Sequence, residues 1–195
     1  MTFAGLLRDR LAGLVEVPDE VGSTLEAHYQ LLVRWNRRLN LTSVIELGAA
    51  VGRHYAESLM LAARVGGGTV YDIGSGAGFP GFVVGAYCQG CTVTLVESDQ
   101  RKAAFLREAS DLVSNMRVAS MRGSELRERV DWVVGRAVRL EDVLEVGLRL
   151  SSRIGVLVGE AEKERLVGEA RLQGLEVEKL PWGEARWLVV GSVVL

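Results

Sequence analysis

Val70-Tyr71-Asp72-Ile73-Gly74-Ser75-Gly76-Ala77-Gly78-Phe79-Pro80-Gly81 is the stretch that decides the fold. A short apolar run enters a glycine-rich turn, and Pro80 stands where the first turn of a helix favours proline. Glycines let the backbone pass close to a ligand and take positive φ. Strand, turn and helix in that order put the turn at the carboxyl end of a first strand, where open α/β sheets bind ligands. Three cofactor classes use such a turn. A Walker loop needs Gly-Lys-Ser/Thr at its end, which is absent. A dinucleotide loop usually has an apolar residue where Asp72 stands. S-adenosylmethionine carries a cationic amino group and a sulfonium, and the Asp72 carboxylate suits that charge. Glu97 closes the next apolar run, Thr94-Leu95-Val96-Glu97, where an acid can accept both hydroxyls of a ribose. Nicotinamide enzymes share that second acid, so Asp72 is the discriminating residue. The glycines alone would equally suit a tight βα turn without a ligand.

Outward from this turn, short apolar runs alternate with amphipathic stretches. Thr69 to Ile73, Thr92 to Glu97, Arg117 to Ala119, Asp131 to Val134 and Ile154 to Val158 are predicted strands. Pro80 to Tyr87, Gln100 to Val113 and Leu140 to Leu150 are predicted helices. Strands apolar on both faces, alternating with helices, indicate a parallel sheet covered on both sides. Gly174 to Leu180 and Ala185 to Leu195, joined by Pro181-Trp182-Gly183-Glu184, form a hairpin-like pair expected to add an antiparallel strand at the sheet edge. Upstream, the spacing predicts a helix over Val21 to Leu41, with Ser23 and Glu26 as a capping box, and another from about Ile45 to Arg64, stopped at Gly66-Gly67-Gly68. The expected organisation is a single domain over 1–195, a helical cap (1–66) on an α/β core (67–195).

The 195 residues are 48% hydrophobic and 25% charged with 3 prolines, the composition of a globular chain long enough to bury a core. A net charge of -2 argues against holding nucleic acid by bulk charge, without excluding a local basic face. Charges interrupt the first residues at once, and no segment approaches the roughly 18 apolar residues of a membrane span. A cytoplasmic protein is expected, with no membrane partner.

Several separate blocks resemble one family, RsmG, also called glucose-inhibited division protein B. Asp72-Ile73-Gly74-Ser75-Gly76-Ala77-Gly78-Phe79-Pro80-Gly81 is similar to its loop, including the unusual Phe79-Pro80-Gly81. Trp35-Asn36-Arg37-Arg38-Leu39-Asn40-Leu41-Thr42 resembles its Trp-Asn…Asn-Leu-Thr helix, and Arg53-His54-Tyr55-Ala56-Glu57-Ser58-Leu59 its His…Asp-Ser-Leu segment. Glu97-Ser98-Asp99-Gln100-Arg101-Lys102 and Gly135-Arg136-Ala137 fit downstream. The resemblance implies N7-methylation of a guanine in 16S ribosomal RNA, as RNA or within the small ribosomal subunit. It implies S-adenosyl-L-methionine as donor and a Rossmann-like fold with a mostly parallel seven-stranded sheet; a monomer is expected. Guanine N7 has a lone pair and no proton, so the substrate needs no general base. The chain offers no obvious catalytic dyad, with only His28 and His54 as histidines.

The expected cofactor residues are Asp72, Gly74, Ser75, Gly76, Gly78 and Phe79 in the loop, Glu97 and Ser98 after the second strand, and Ser124 and Glu125 after the third. Arg136, after the strand Asp131-Trp132-Val133-Val134, is expected at the reacting end as a positioning group. For RNA the candidates are Arg53, His54, Arg101, Lys102, Arg139 and Arg186; His54 serves equally well as a hydrogen-bonded fastener of cap to sheet. Asn40 is expected at a helix end and Trp35 in the core. Cys88-Gln89-Gly90-Cys91 lacks a second ligand pair and reads as two reduced thiols, with no metal expected.

One departure stands out. Where the family has Leu-Lys-Gly, this chain reads Leu157-Val158-Gly159. That loss, with the acidic balance, keeps two other readings open: a methyltransferase of a small molecule or protein, and an inactive cofactor- or RNA-binding assembly factor.

Overall fold

The computed structural model describes residues 2–194. A seven-stranded sheet has the order β3-β2-β1-β4-β5-β7-β6. Its strands are β1 (Gly68–Ile73), β2 (Cys91–Val96), β3 (Met116–Ala119), β4 (Val130–Arg136), β5 (Ser151–Val158), β6 (Leu172–Lys179) and β7 (Trp187–Val193). The first five run parallel, and β7 runs antiparallel to both β5 and β6. The tail pair is thus present, but its reversed strand lies one place inside the edge, because β7 pairs with β5 and leaves β6 outermost. The order reverses between β1 and β4, which opens a crevice at their carboxyl ends.

Helices α1 (Phe3–Leu11), α2 (Asp19–Asn36), α3 (Leu47–Ala50) and α4 (Glu57–Val65) form the cap; α5 (Gly81–Tyr87), α6 (Gln100–Ser110), α7 (Leu140–Leu150) and α8 (Glu160–Val167) belong to the sheet. Leu140, Val143, Val146, Gly147 and Leu150 make the buried stripe of α7, at the spacing that lets one helix face cover a sheet. Cap and sheet share one apolar core, in which Phe3, Leu25, Leu32, Tyr55 and Leu59 meet Val70, Phe82, Leu95 and Trp132.

The cap departs from expectation in four places. Helix α1, absent from the periodicity reading, is capped by the Thr2 hydroxyl, which accepts from the Gly5 amide at 3.2 Å. Helix α2 begins at Asp19 after Pro18, and Ser23 sits inside it, its hydroxyl donating to the Asp19 carbonyl. The expected Ser23–Glu26 box is therefore corrected: acids at Asp19 and Glu20 already supply the favourable charge of the first turn. The third departure is a π-helical turn at Val51–Ala56, which joins α3 to α4 and carries Arg53 and His54. Such turns often mark functional sites. Asn36, not Asn40, ties off α2: its side-chain amide donates to the Thr42 carbonyl and accepts from the Thr42 amide, both at 3.0 Å. Trp35 is half-buried against Phe105 and donates to Glu108 at 2.8 Å.

Candidate cofactor cleft and RNA face

A cleft of about 450 Å3 opens at the carboxyl ends of β1, β2 and β3. Its wall includes Ile73 and Gly74 from the turn, Val96, Glu97 and Ser98 after β2, Met121 to Ser124 after β3, and Val138, Arg139, Asp142 and Glu145 from the start of α7. Of the expected cofactor residues, Gly74, Glu97, Ser98 and Ser124 stand on this wall. Sequence reasoning missed Met121, Arg122, Val138, Asp142 and Glu145, which carry no motif of their own.

The turn is shaped by close approach. Gly74, Gly76 and Gly78 have φ of 67°, 56° and 89°. At Gly74 a Cβ would also lie 2.8 Å from Val138 Cγ2, so the backbone conformation and the contact both require glycine. Glu97, 7% exposed, braces the turn: Oε2 accepts from the Gly76 amide at 3.0 Å and Oε1 from the Asp99 amide at 2.8 Å. Each oxygen keeps one further acceptor direction.

Asp72 is placed differently from expectation. It is wholly buried behind the turn, where Oδ2 accepts from the Gly81 amide at 3.1 Å and Oδ1 has no hydrogen-bond partner. A Cβ on Gly81 would stand 2.5 Å from Asp72 Cβ, so glycine there is what lets the carboxylate reach the start of α5. Burial raises the Asp72 carboxyl to about 7, against the downward pull of the Ser75 hydroxyl and the Gly81 amide; Glu97 adds a further upward push. Ser75 is buried beside it, its hydroxyl donating to the Asp72 main-chain carbonyl at 2.9 Å.

Two further cofactor expectations are corrected. Phe79 faces away from the cleft into the cap, stacked on His54 at 4.8 Å and edge-on to His28 and Tyr55. The reason is apolar burial: the ring is 5% exposed within the shared core. Glu125 turns back to accept the Arg122 amide at 2.7 Å and caps the short turn Gly123–Glu125, so its carboxylate is engaged off the wall.

Arg136, also expected near the reacting end, points into the seam between cap and sheet. Its Nη1 donates to His54 Nδ1 at 2.9 Å, and its Nε lies 3.6 Å from Glu57 Oε2. Glu57 is fully buried and also holds Arg186 in a two-point pair at 2.8 and 3.3 Å. Because a guanidinium only donates, His54 Nδ1 must accept, so the ring proton sits on Nε2, within 3.0 Å of both the Thr42 hydroxyl and the Val44 carbonyl. Burial, then the charge of Arg136, lower His54 to about 3, so the ring is neutral. Burial likewise brings Arg136 down to about 10 while Glu57 opposes, leaving the guanidinium charged at neutral pH. The structure places both His54 and Arg186 in the seam, His54 in the fastening role that was one of its two expected readings. Burial, abetted by His54, also lowers His28 to about 3; its ring stacks on Phe82 at 4.0 Å and its Nδ1 is 2.8 Å from the Tyr55 hydroxyl.

Of the remaining basic candidates, Arg139 is paired with Asp142 at 2.8 Å on the cleft rim. Arg53 is exposed on the π-helical turn. Arg101 and Lys102 line a groove of about 190 Å3 with Arg38, Asn40 and Asp99, where α6 meets the segment after α2. Among the described residues, Arg38, Arg53, Arg101 and Lys102 form no ion pair, whereas Arg34, Arg64, Arg165 and Arg171 each do. Val158, where the family has lysine, is half-buried, packs against the apolar cluster of Val133, Val143, Ile154 and Val156, and lies opposite Trp187. Cys88 and Cys91 are free thiols; burial and the Cys88 neighbour push Cys91 up to about 12. No helix of the described residues is long and apolar enough to cross a membrane.

Comparison with known proteins agrees with this fold. The N-methyltransferase NodS from Bradyrhizobium japonicum has the same fold, with a TM-score of 0.58 at 12% identity, over 72% of this chain and 94% of that one. So does the M. jannaschii protein TYW2, solved with AdoMet, at 0.52 and 18%, over 70% and 74%. The ribosomal RNA small subunit methyltransferase G of Nitrosomonas europaea is 37% identical over 77% of this chain and 74% of its own length. That of Halorhodospira halophila is 34% identical over 90% and 88%. Residues 22–178 match the GidB family, described as rRNA small subunit methyltransferase G, and the chain belongs to that family.

Proposed function

We propose that this protein transfers a methyl group from S-adenosylmethionine to N7 of a guanine in 16S ribosomal RNA. The observation that carries the reading is the cleft built at the carboxyl ends of β1, β2 and β3, beside the β1/β4 switch point, by Gly74, Glu97, Ser98 and Ser124, in a chain of this family. The residues suit the cofactor. Glu97 has two open acceptor directions for a pair of ribose hydroxyls, and the unpartnered Asp72 Oδ1 is a buried acceptor suited to an ammonium group. Gly74 and Gly76 keep side chains out of its path, Gly78 leaves room for His28 and Phe82 on the cap side, Ser75 fixes Asp72, and Ser124 takes the adenine end. Bound there, the cofactor would supply an electrophilic methyl group.

The protein's part is to hold N7 in line and exclude water, which can account for much of the rate. Both histidines are held neutral and engaged elsewhere, which fits a nucleophile with no proton to lose. Arg136 acts through the seam, fixing the end of β4 against the cap. Arg53, Arg101 and Lys102, with Arg38, form the face for RNA phosphates, bound as free RNA or as part of the small ribosomal subunit in the cytoplasm by a monomer. Val158, which leaves an apolar contact where the family has a cation, favours a second reading in which another substrate takes the methyl group.

Purified protein, small subunits lacking the native N7-methylguanosine and tritiated S-adenosylmethionine test the proposal. Label should enter the RNA and vanish with Glu97→Ala. Cofactor binding without label in RNA would move the assignment to the second reading.

A further inference from the structure

His28 reaches the glycine-rich turn from behind. It stands on the buried face of α2, fully out of solvent, its ring stacked on Phe82 at 4.0 Å and edge-on to Phe79 and Phe105. Nδ1 is 2.8 Å from the Tyr55 hydroxyl. Nε2 faces the turn: a Cβ on Gly78 would stand 3.1 Å from it, so glycine there is what admits the ring. Nε2 makes no full hydrogen bond among the described residues, whereas buried polar atoms almost always have a partner. Stacking alone would be met by phenylalanine, and the two nitrogens need a separate reason.

A neutral imidazole has one N–H and one lone pair. With the proton on Nδ1, the ring would donate to Tyr55 and present a bare Nε2 lone pair to the turn. With the proton on Nε2, the Tyr55 hydroxyl donates to Nδ1 and the ring has a donor for a main-chain carbonyl. The carbonyl of Ala77 is that acceptor: burial lowers the ring's value, abetted by His54, and Ala77 draws it back up. No main-chain amide among the described residues donates to this carbonyl. Ala77 lies between Gly76 and Gly78, both in left-handed backbone, and the Gly76 amide is already held from the sheet side by Glu97 at 3.0 Å. We propose that His28 is a positioning residue for methyl transfer: its Nε2–H fixes the Ala77–Gly78 limb of the turn from the cap, opposite the hold of Glu97, so that cofactor affinity depends on the cap. The ring acts through the turn and touches neither cofactor nor RNA. The inference rests on the reading of the turn as part of the cofactor site.

His28→Phe and His28→Gln separate this role from a merely structural one. Phenylalanine keeps the ring on Phe82 and removes the donor; glutamine loses the ring and keeps an N–H near the place of Nε2. Packing alone predicts that phenylalanine is the milder change, and the proposal predicts the reverse for the cofactor. By calorimetry, S-adenosylhomocysteine should bind about fivefold more weakly to His28→Phe, the worth of one neutral hydrogen bond, and within about twofold of wild type to His28→Gln. In His28→Phe the KM for S-adenosylmethionine rises while kcat at saturating cofactor stays within about twofold, and RNA affinity without cofactor is unchanged. Nitrogen-15 spectra of the wild-type ring should show the proton on Nε2. Wild-type affinity in His28→Phe, or a ring protonated at Nδ1, overturns the proposal, and these two results decide it even if His28→Gln fails to fold. A folded His28→Gln as weak as His28→Phe overturns it too. If the wild-type chain binds no S-adenosylhomocysteine, the cofactor reading itself fails and the proposal with it; if it binds equally well with phenylalanine, the proposal alone fails.

Discussion

Acidification from pH 7 to pH 5 should destabilise the fold by an amount that three buried groups set. His28 and His54 are each held near 3, against an ordinary value of 6.5. Below 6.5 the unfolded chain takes protons that the folded chain refuses, so their contribution is complete above that value and is lost as pH falls toward 3. Each histidine accounts for a loss of about 2 kcal/mol between pH 7 and 5. Asp72 works in the opposite sense. Its carboxyl, raised from 3.8 to about 7, takes a proton first in the folded chain, so its contribution is present at low pH and lost as pH rises through 7. It returns about 2 kcal/mol over the same interval, leaving a net loss of about 2 kcal/mol. The exposed acids with lowered values, such as Asp99 and Asp131, titrate below this window. Urea denaturation at the two pH values and constant ionic strength measures the difference. With His28→Phe, which keeps an aromatic ring against Phe82, the dependence should flatten. Wild-type stability equal or higher at pH 5, or an undiminished loss in His28→Phe, would refute the argument.

Other outcomes follow from the same contacts. Glu57→Gln leaves Arg136 and Arg186 facing each other without their shared carboxylate, and should cost about 3 kcal/mol by denaturant titration. Gly81→Ala drives a methyl group into Asp72 and Leu95, with an expected loss of about 1–3 kcal/mol and weaker cofactor binding by calorimetry. Neutralising Arg38, Arg101 or Lys102 singly should lower the slope of log affinity against log salt for RNA by about 1 each while cofactor affinity holds.

The parts of the fold legible in the sequence were those in which local pattern and tertiary packing agree. The alternation of strands and helices from Thr69 to Val158 was visible because the strands are apolar on both faces, and Leu140 to Leu150 was bounded correctly because its apolar stripe is complete. Helix α1 escaped notice because charges interrupt its short apolar face, and α8 because Leu166 is its only buried residue. In the site, the sequence places residues at strand ends, but not the direction in which their side chains turn. Glu97 and Ser98 reach the cleft from the end of β2. Arg136 occupies the corresponding end of β4 and turns to the seam, because Glu57 and His54 offer a buried carboxylate and a neutral acceptor from the cap, 79 and 82 residues away in sequence. Glu125 is spent on its own turn by a bond three residues back. Glu57 itself was visible only as part of a family-like segment, and its hold on two arginines needed the folded chain.

The most direct test of the central claim is the chemical identity of the product. Small subunits lacking N7-methylguanosine would be incubated with the protein and S-adenosylmethionine, and their 16S RNA mapped by reduction and aniline cleavage, which breaks the chain at N7-methylguanosine. A single new cleavage, dependent on cofactor and on Glu97, is expected. Methyl incorporation without cleavage, or no incorporation into RNA at all, would contradict it.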